Sequence, residues 1–278
     1  MDEDRGTVEV RLSRDLTLLG ATMMGIGATV GAGIFVLLGF AAGAAGPALL
    51  LAIGMNGLVA GLTAITYADL GTTFPEAGGG YLWVREALPG PIAFVAGWMT
   101  WFGHMVAGAV GALGFGNYVA WALEGQNGLG PLSRAGAGVL FALLVTCAFV
   151  GLGYVGAQTR RRSLGLAGFA KLGILALLVA FGLVTIVRGP ANALEPFLSG
   201  GSPGVLAAMA LTFIAFQGFE GIAQAGEEVR DPERTIPRAM FLSLAAVIVL
   251  YLAVAFVALA ATRPDTATPI WSWLDARG

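Results

Sequence analysis

The amino-acid sequence predicts an all-α membrane protein, and three observations lead there. The 278 residues are 57% hydrophobic and only 12% charged, against roughly 25% charged in a soluble domain. The apolar residues come in long runs, and no charge occurs from Leu16 to Ala68. The runs lack the strict alternation of barrel strands. Each therefore reads as helix, whose backbone groups satisfy one another inside hydrocarbon.

Seven segments reach the ~20 mostly apolar residues that a span requires: about 16–44, 47–69, 91–121, 135–156, 164–187, 203–227 and 239–262. With the N-terminus inside, the inner connections carry Arg5, Arg11, Arg14, Arg85, Arg160, Arg161, Arg162, Arg230, Arg234 and Arg238. The outer ones carry Arg134, Arg188, Arg263 and Arg277. Ten against four follows the bias of positive residues toward the cytoplasm. The expected organisation is a cytoplasmic segment 1–15, a transmembrane domain 16–262 and an extracytoplasmic tail 263–278, multi-pass in the plasma membrane. The opening Met-Asp-Glu-Asp lacks the basic-then-apolar form of a cleaved signal, so the first span is expected to be retained. The connection from Thr72 to Pro89 mixes Tyr81 and Trp83 with Arg85 and Glu86. That mixture suits an interfacial helix on the inner face or an ordinary loop.

Two spans are expected to be broken. The first contains Gly25-Ile-Gly-Ala-Thr-Val-Gly-Ala-Gly-Ile-Phe35, where Gly27, Gly31 and Gly33 lower the cost of leaving the helix. The sixth contains Ala215-Phe-Gln-Gly-Phe-Glu-Gly221, with the carboxylate of Glu220 at a depth where ionisable groups are expensive and functional by default. The plainer alternative for the first patch is close helix packing through small residues. By span order, the first runs inside to outside and the sixth outside to inside. Two broken helices of opposite direction are the signature of an inverted-repeat transporter. A half-helix starting near Gly31 would present free N–H groups and the positive dipole end, which suit a carboxylate. Half-helices ending near Thr29 and Phe216 would present free carbonyls, which suit an ammonium. Together they read a zwitterion, and an α-amino acid is the small molecule with that charge pair.

Other classes find little support. Basic residues are sparse and not interleaved with aromatics, so no nucleic-acid partner is expected. Cys147 is the only cysteine, which excludes an internal disulfide. No metal-ligand spacing and no catalytic set of side chains is visible, so neither enzyme activity nor a cofactor is expected. His104, alone in the third span, reads as a neutral hydrogen-bonded packing residue. A seven-helix receptor or light-driven pump is the alternative that the span count allows. The inward N-terminus and a lysine on the fifth span rather than the last argue against it.

Four motifs resemble the amino acid–polyamine–organocation transporter superfamily, nearest its cationic amino acid transporter-like permeases. They are Gly27-Ala-Thr-Val-Gly-Ala-Gly-Ile-Phe35; Tyr67-Ala-Asp-Leu70 with Pro75-Glu-Ala-Gly-Gly-Gly-Tyr81; Ala215-Phe-Gln-Gly-Phe-Glu220; and Glu227-Glu-Val-Arg-Asp-Pro232 with Thr235-Ile-Pro-Arg238. The resemblance implies a five-plus-five inverted-repeat bundle with discontinuous first and sixth helices, and secondary active transport of an amino acid by alternating access. It implies that the substrate carboxylate meets the main chain at Gly31, Ala32 and Gly33. The ammonium would meet carbonyls near Ile26 and Thr29 and near Ile214, Ala215 and Phe216, with Gln217 facing the substrate side chain. Lys171 would exchange the coupling proton. Glu220, Glu227 and Glu228 would serve as an inner gate or structural network. Against the family's roughly twelve spans the chain is expected to stop after the seventh, with the second repeat incomplete.

Overall fold

The computed structural model describes residues 14–74, 78–124, 133–153, 157–187, 194 and 196–261. Most of the segment 1–15, the motif residues 75–77, the Arg160–Arg162 side chains and the tail 263–278 lie outside the described residues. Helices α1 (Leu18–Thr29), α2 (Leu38–Ala45), α3 (Leu49–Thr73) and α4 (Gly79–Ala87) open the chain. They are followed by α5 (Gly90–Glu124), α6 (Arg134–Gly153), α7 (Ala157–Val187), α8 (Gly201–Phe213), α9 (Gly221–Gln224) and α10 (Pro232–Ala261). Thr17 starts α1 as a side-chain cap, accepting from the Gly20 amide at 3.3 Å, which satisfies one of the donors a helix leaves open.

Five helical stretches among the described residues are long and apolar enough to cross a membrane: Leu18–Thr73, Gly90–Glu124, Arg134–Gly153, Gly201–Gln224 and Pro232–Ala260. Within α7, Gly168–Val184 is a shorter apolar helix. Leu18–Thr73 has 56 residues. Straight, it would be about 84 Å long at ~1.5 Å per residue, against a hydrocarbon core of ~30 Å. It folds back at the 3-10 turn Gly46–Ala48, which carries Pro47.

Close approaches give the helix directions. Gly25, Ala28–Thr29, Gly33 and Ala44–Ala45 meet Ile222, Gly218, Ala215 and Gly204 in turn. The rod α1–α2 is therefore antiparallel to α8–α9. On α3, Asn56 bonds Met209 and Thr212, and Gly71 meets Ala223, so α3 runs parallel to α8–α9 and antiparallel to α1. Helix α10 runs with α1, since Gly25 meets Ser243 and Thr29 bonds Tyr251.

Small side chains fill much of the interior, beside larger buried ones such as Ile26, Leu49, Ile53 and Tyr251. Ala21, Ala41, Ala45, Ala52, Ala64 and Ala208 are fully buried, while Phe94, Phe149 and Phe181 are 67%, 69% and 73% exposed. Lipid tails are as apolar as these rings, so no force draws large side chains inward, and close van der Waals contact through small residues holds the helices. Asn56 is one of the buried polar residues. Its buried amide donates to the Met209 carbonyl at 2.8 Å and to Thr212 Oγ1 at 2.9 Å, pinning α3 to α8.

At one end the chain segments are clipped together. The Leu16 amide donates to the Glu228 carbonyl and the Arg230 amide to the Leu16 carbonyl, both at 2.9 Å. Beside this clip lies α4, a helix within the Thr72–Pro89 connection. Its Leu82 and Trp83 are buried, with the Trp83 ring edge-on to Tyr67 at 5.1 Å.

Candidate functional site

Both glycine-rich patches interrupt their helices. Helix α1 stops at Thr29, and Val30 turns extended with φ −72° and ψ 94°. The chain resumes as a π turn, Gly33–Leu37, before α2. The partner rod stops after α8 and a 3-10 turn, Ile214–Phe216, with Gln217 extended at φ −74° and ψ 146°. Gly218 follows at φ 128°, a conformation that only glycine takes readily. The breaks face each other at van der Waals distance. A Cβ on Gly33 would lie 2.4 Å from Ala215 Cα, and one on Gly218 would lie 2.5 Å from the Ala28 carbonyl carbon.

A helix end leaves carbonyls without intrahelical partners, and here side chains from other helices take them. Lys171 Nζ on α7 donates to the Gly27 carbonyl at 2.8 Å. The buried Tyr251 hydroxyl on α10 lies 3.0 Å from the Thr29 carbonyl and 3.0 Å from the Ala215 carbonyl. One phenolic proton thus serves the last carbonyls of both interrupted helices. The Val30 amide takes the Ile26 carbonyl at 2.8 Å. On the far side of the first break, the Tyr118 hydroxyl on α5 donates to the Phe35 carbonyl inside the π turn.

Between the breaks and α5 lies a cavity of about 220 Å³, lined by Ala28, Thr29, Gly31, Ala32, Gly33, His104, Ala107, Val110, Ile214, Gln217, Gly218 and Glu220. That is below the roughly 300–1,000 Å³ of drug-sized pockets, and suits one small molecule. Residues of the first break, Ala28, Thr29 and Gly31 to Gly33, face the open turn at Gln217–Gly218 across it. Glu220 closes one side, with Oε2 accepting from the Gly218 amide at 2.6 Å. A second cavity, about 210 Å³, lies beyond Gln217 and Glu220 toward Tyr67 and Phe216.

Of the residues singled out from the sequence, Thr29, Gly31, Ala32, Gly33, Ile214, Gln217 and Glu220 border the first cavity. Ile26, Ala215 and Phe216 do not. Ile26 and Ala215 are buried, with their carbonyls already engaged by Val30 and Tyr251. The Phe216 ring packs edge-on to Tyr251 at 5.4 Å. Lys171 stands behind the first break. Glu227 and Glu228 lie in the 3-10 turn Gly226–Glu228, which joins the clip to Leu16. Sequence reasoning missed Tyr251 and Tyr118, and it took His104 for a packing residue although His104 borders the cavity.

The amino acid permease family profile matches residues 16–273 of the chain. The chain belongs to the amino acid permease family. The permease is 31% identical over 252 residues to the methylthioribose transporter of Bacillus subtilis (strain 168), covering 88% of this chain and 55% of that protein. It is 30% identical over 256 residues to the branched-chain amino acid permease BcaP of the same organism, covering 88% and 54%. It is 31% identical over 273 residues to the vacuolar cationic amino acid transporter 2 of Arabidopsis thaliana, covering 92% and 43%. The permease thus spans about half the length of the curated relatives it matches. The family is one of multi-pass transport proteins, not of enzymes.

Proposed function

We propose that the permease moves an amino acid across the plasma membrane as a secondary active transporter, by alternating access coupled to protons. One observation carries this reading: two antiparallel helices are interrupted opposite each other, and both interruptions border one small cavity. In hydrocarbon such interruptions occur where backbone lines a cavity, and paired ones mark transporter sites. The amides at Gly31, Ala32 and Gly33 would hold the substrate carboxylate. The Thr29 and Ile214 carbonyls, which already accept from the Tyr251 hydroxyl and the Gln217 amide, would each offer a second lone pair to its ammonium, with Gln217 toward the side chain. The names of the branched-chain and cationic amino acid relatives support an amino acid as cargo.

The coupling role falls to Lys171. Its ammonium ties α7 to the Gly27 carbonyl of the broken helix, so losing a proton there would weaken the tie between α1 and α7. The same bond leaves Lys171 poorly suited to carry a chromophore, which weighs against a light-driven pump. On this reading the chain would form the first part of a five-plus-five inverted repeat, with seven spans and the N-terminus inside. The test is binding and proteoliposome uptake of radiolabelled amino acids by the purified chain, with and without an imposed pH gradient. Binding of at least one amino acid, displaced by its unlabelled form, is expected. No binding of any of the twenty would overturn the proposal.

A further inference from the structure

The cavity has one wall that the amino acid backbone does not use. Helix α5 contributes His104, Ala107 and Val110 to it, residues three apart that share one helix face. Ala107 and Val110 offer only carbon. The His104 Nδ1 lies 2.8 Å from the Thr100 carbonyl oxygen of its own helix. A carbonyl only accepts, so Nδ1 carries a proton, and in the singly protonated ring Nε2 has a lone pair to offer. Glu220 borders the same cavity. Its Oε2 is held by the Gly218 amide, and a carboxylate has further lone pairs to offer. Among the described residues, no cationic side chain borders the cavity. Two acceptor-bearing side chains therefore border a space where, on the transport reading, the peptide ends would satisfy an amino acid's own charges.

We propose that His104 is a specificity-determining residue, its Nε2 selecting amino acids whose side chains carry a hydrogen-bond donor over aliphatic ones of the same size. This rests on the transport reading above and extends it from the amino acid backbone to its side chain. The physical reason is an asymmetry. A donor-bearing side chain gives up water for Nε2 and the Glu220 carboxylate. An aliphatic one dehydrates both acceptors and returns nothing, and sites that leave polar groups unpaired reject such ligands strongly. A hydroxyl-for-methyl pair isolates the effect, because threonine and valine have the same shape.

The experiment is competition binding on the purified full chain, with threonine against valine and glutamine against methionine. The wild type is expected to favour threonine and glutamine by about 10-fold or more. In His104→Leu the preference is expected to collapse to near parity, with valine and methionine binding as well as before or better. His104→Gln, whose amide oxygen replaces the acceptor, is expected to restore part of the preference. Amino acids bound with threonine and valine equal in the wild type would overturn this inference alone. So would a uniform loss of all four ligands in His104→Leu, which would make the residue merely structural. Failure to bind any amino acid would overturn the transport reading, and this inference with it.

Discussion

The Tyr251 hydroxyl stands 3.0 Å from the Thr29 carbonyl oxygen, across 222 residues of chain, and so joins α10 to the point where α1 ends. The same hydroxyl reaches the Ala215 carbonyl. Replacing Tyr251 by Phe keeps the ring but strands two buried acceptors, each costing about 1–3 kcal/mol when left unsatisfied. Tyr251→Phe is expected to lower the thermal unfolding temperature of the purified chain in detergent and to weaken amino acid binding. An unchanged unfolding curve would show that these carbonyls find other partners.

The two breaks can touch only because glycine occupies both crossing points. Gly218→Ala combines a φ of 128° with a Cβ placed 2.5 Å from backbone, and is expected to cost roughly 2–6 kcal/mol. Gly33→Ala, with its Cβ 2.4 Å from Ala215 Cα, should cost about 1–3 kcal/mol from overpacking. Gly54→Ala is the control. It lies inside α3 with nothing within 4 Å of its Cβ position, so it should gain up to about 1 kcal/mol from helix propensity. Thermal melts of the three variants should fall in that order.

Lys171→Met retains the length of the side chain and removes the ammonium from the Gly27 carbonyl. If the coupling role is right, uptake driven by an imposed pH gradient disappears while exchange of labelled for unlabelled substrate persists. Gradient-driven uptake equal to wild type would take the role away from Lys171.

The clip beside α4 depends on one amide that proline lacks. Leu16→Pro removes the donor to the Glu228 carbonyl, and the reciprocal bond from Arg230 should weaken with it. Hydrogen exchange at the amides of Val229 and Arg230 is expected to speed up by about 10-fold, the equivalent of ~1.4 kcal/mol. Exchange as slow as in the wild type would mean that the surrounding packing holds this corner without the clip.

The interruptions were legible because glycines clustered in segments with no competing explanation in charge or periodicity. Their consequences were harder to read. Tyr251 sits in a run of Val, Leu and Ala, where an aromatic looks like any lipid-facing or packed ring. Its partners lie 222 and 36 residues away, and no local pattern points to them. His104 has the hydrogen bond expected of it, but its place beside the cavity is not legible for a related reason. A residue's spacing fixes which helix face it shares, but not which neighbour that face meets. The Ile26 and Ala215 carbonyls are expected to meet a ligand because helix ends leave such groups open; in the structure the Val30 amide and the Tyr251 hydroxyl already donate to them. Lys171 stood out because a lone cation in an apolar run is costly anywhere except beside an acceptor.

The π turn at Gly33–Leu37 carries one surplus residue relative to the α-helix that continues from it. Deleting that residue would swivel everything before it by about 100°, the angle between successive residues in a 3.6-fold helix. Gly31 and Ala32, which border the cavity, would then be carried round to another side of the helix axis. Their bearing is a matter of chain phase, set by a single misfit residue, and Tyr118 grips the carbonyl at the middle of that misfit.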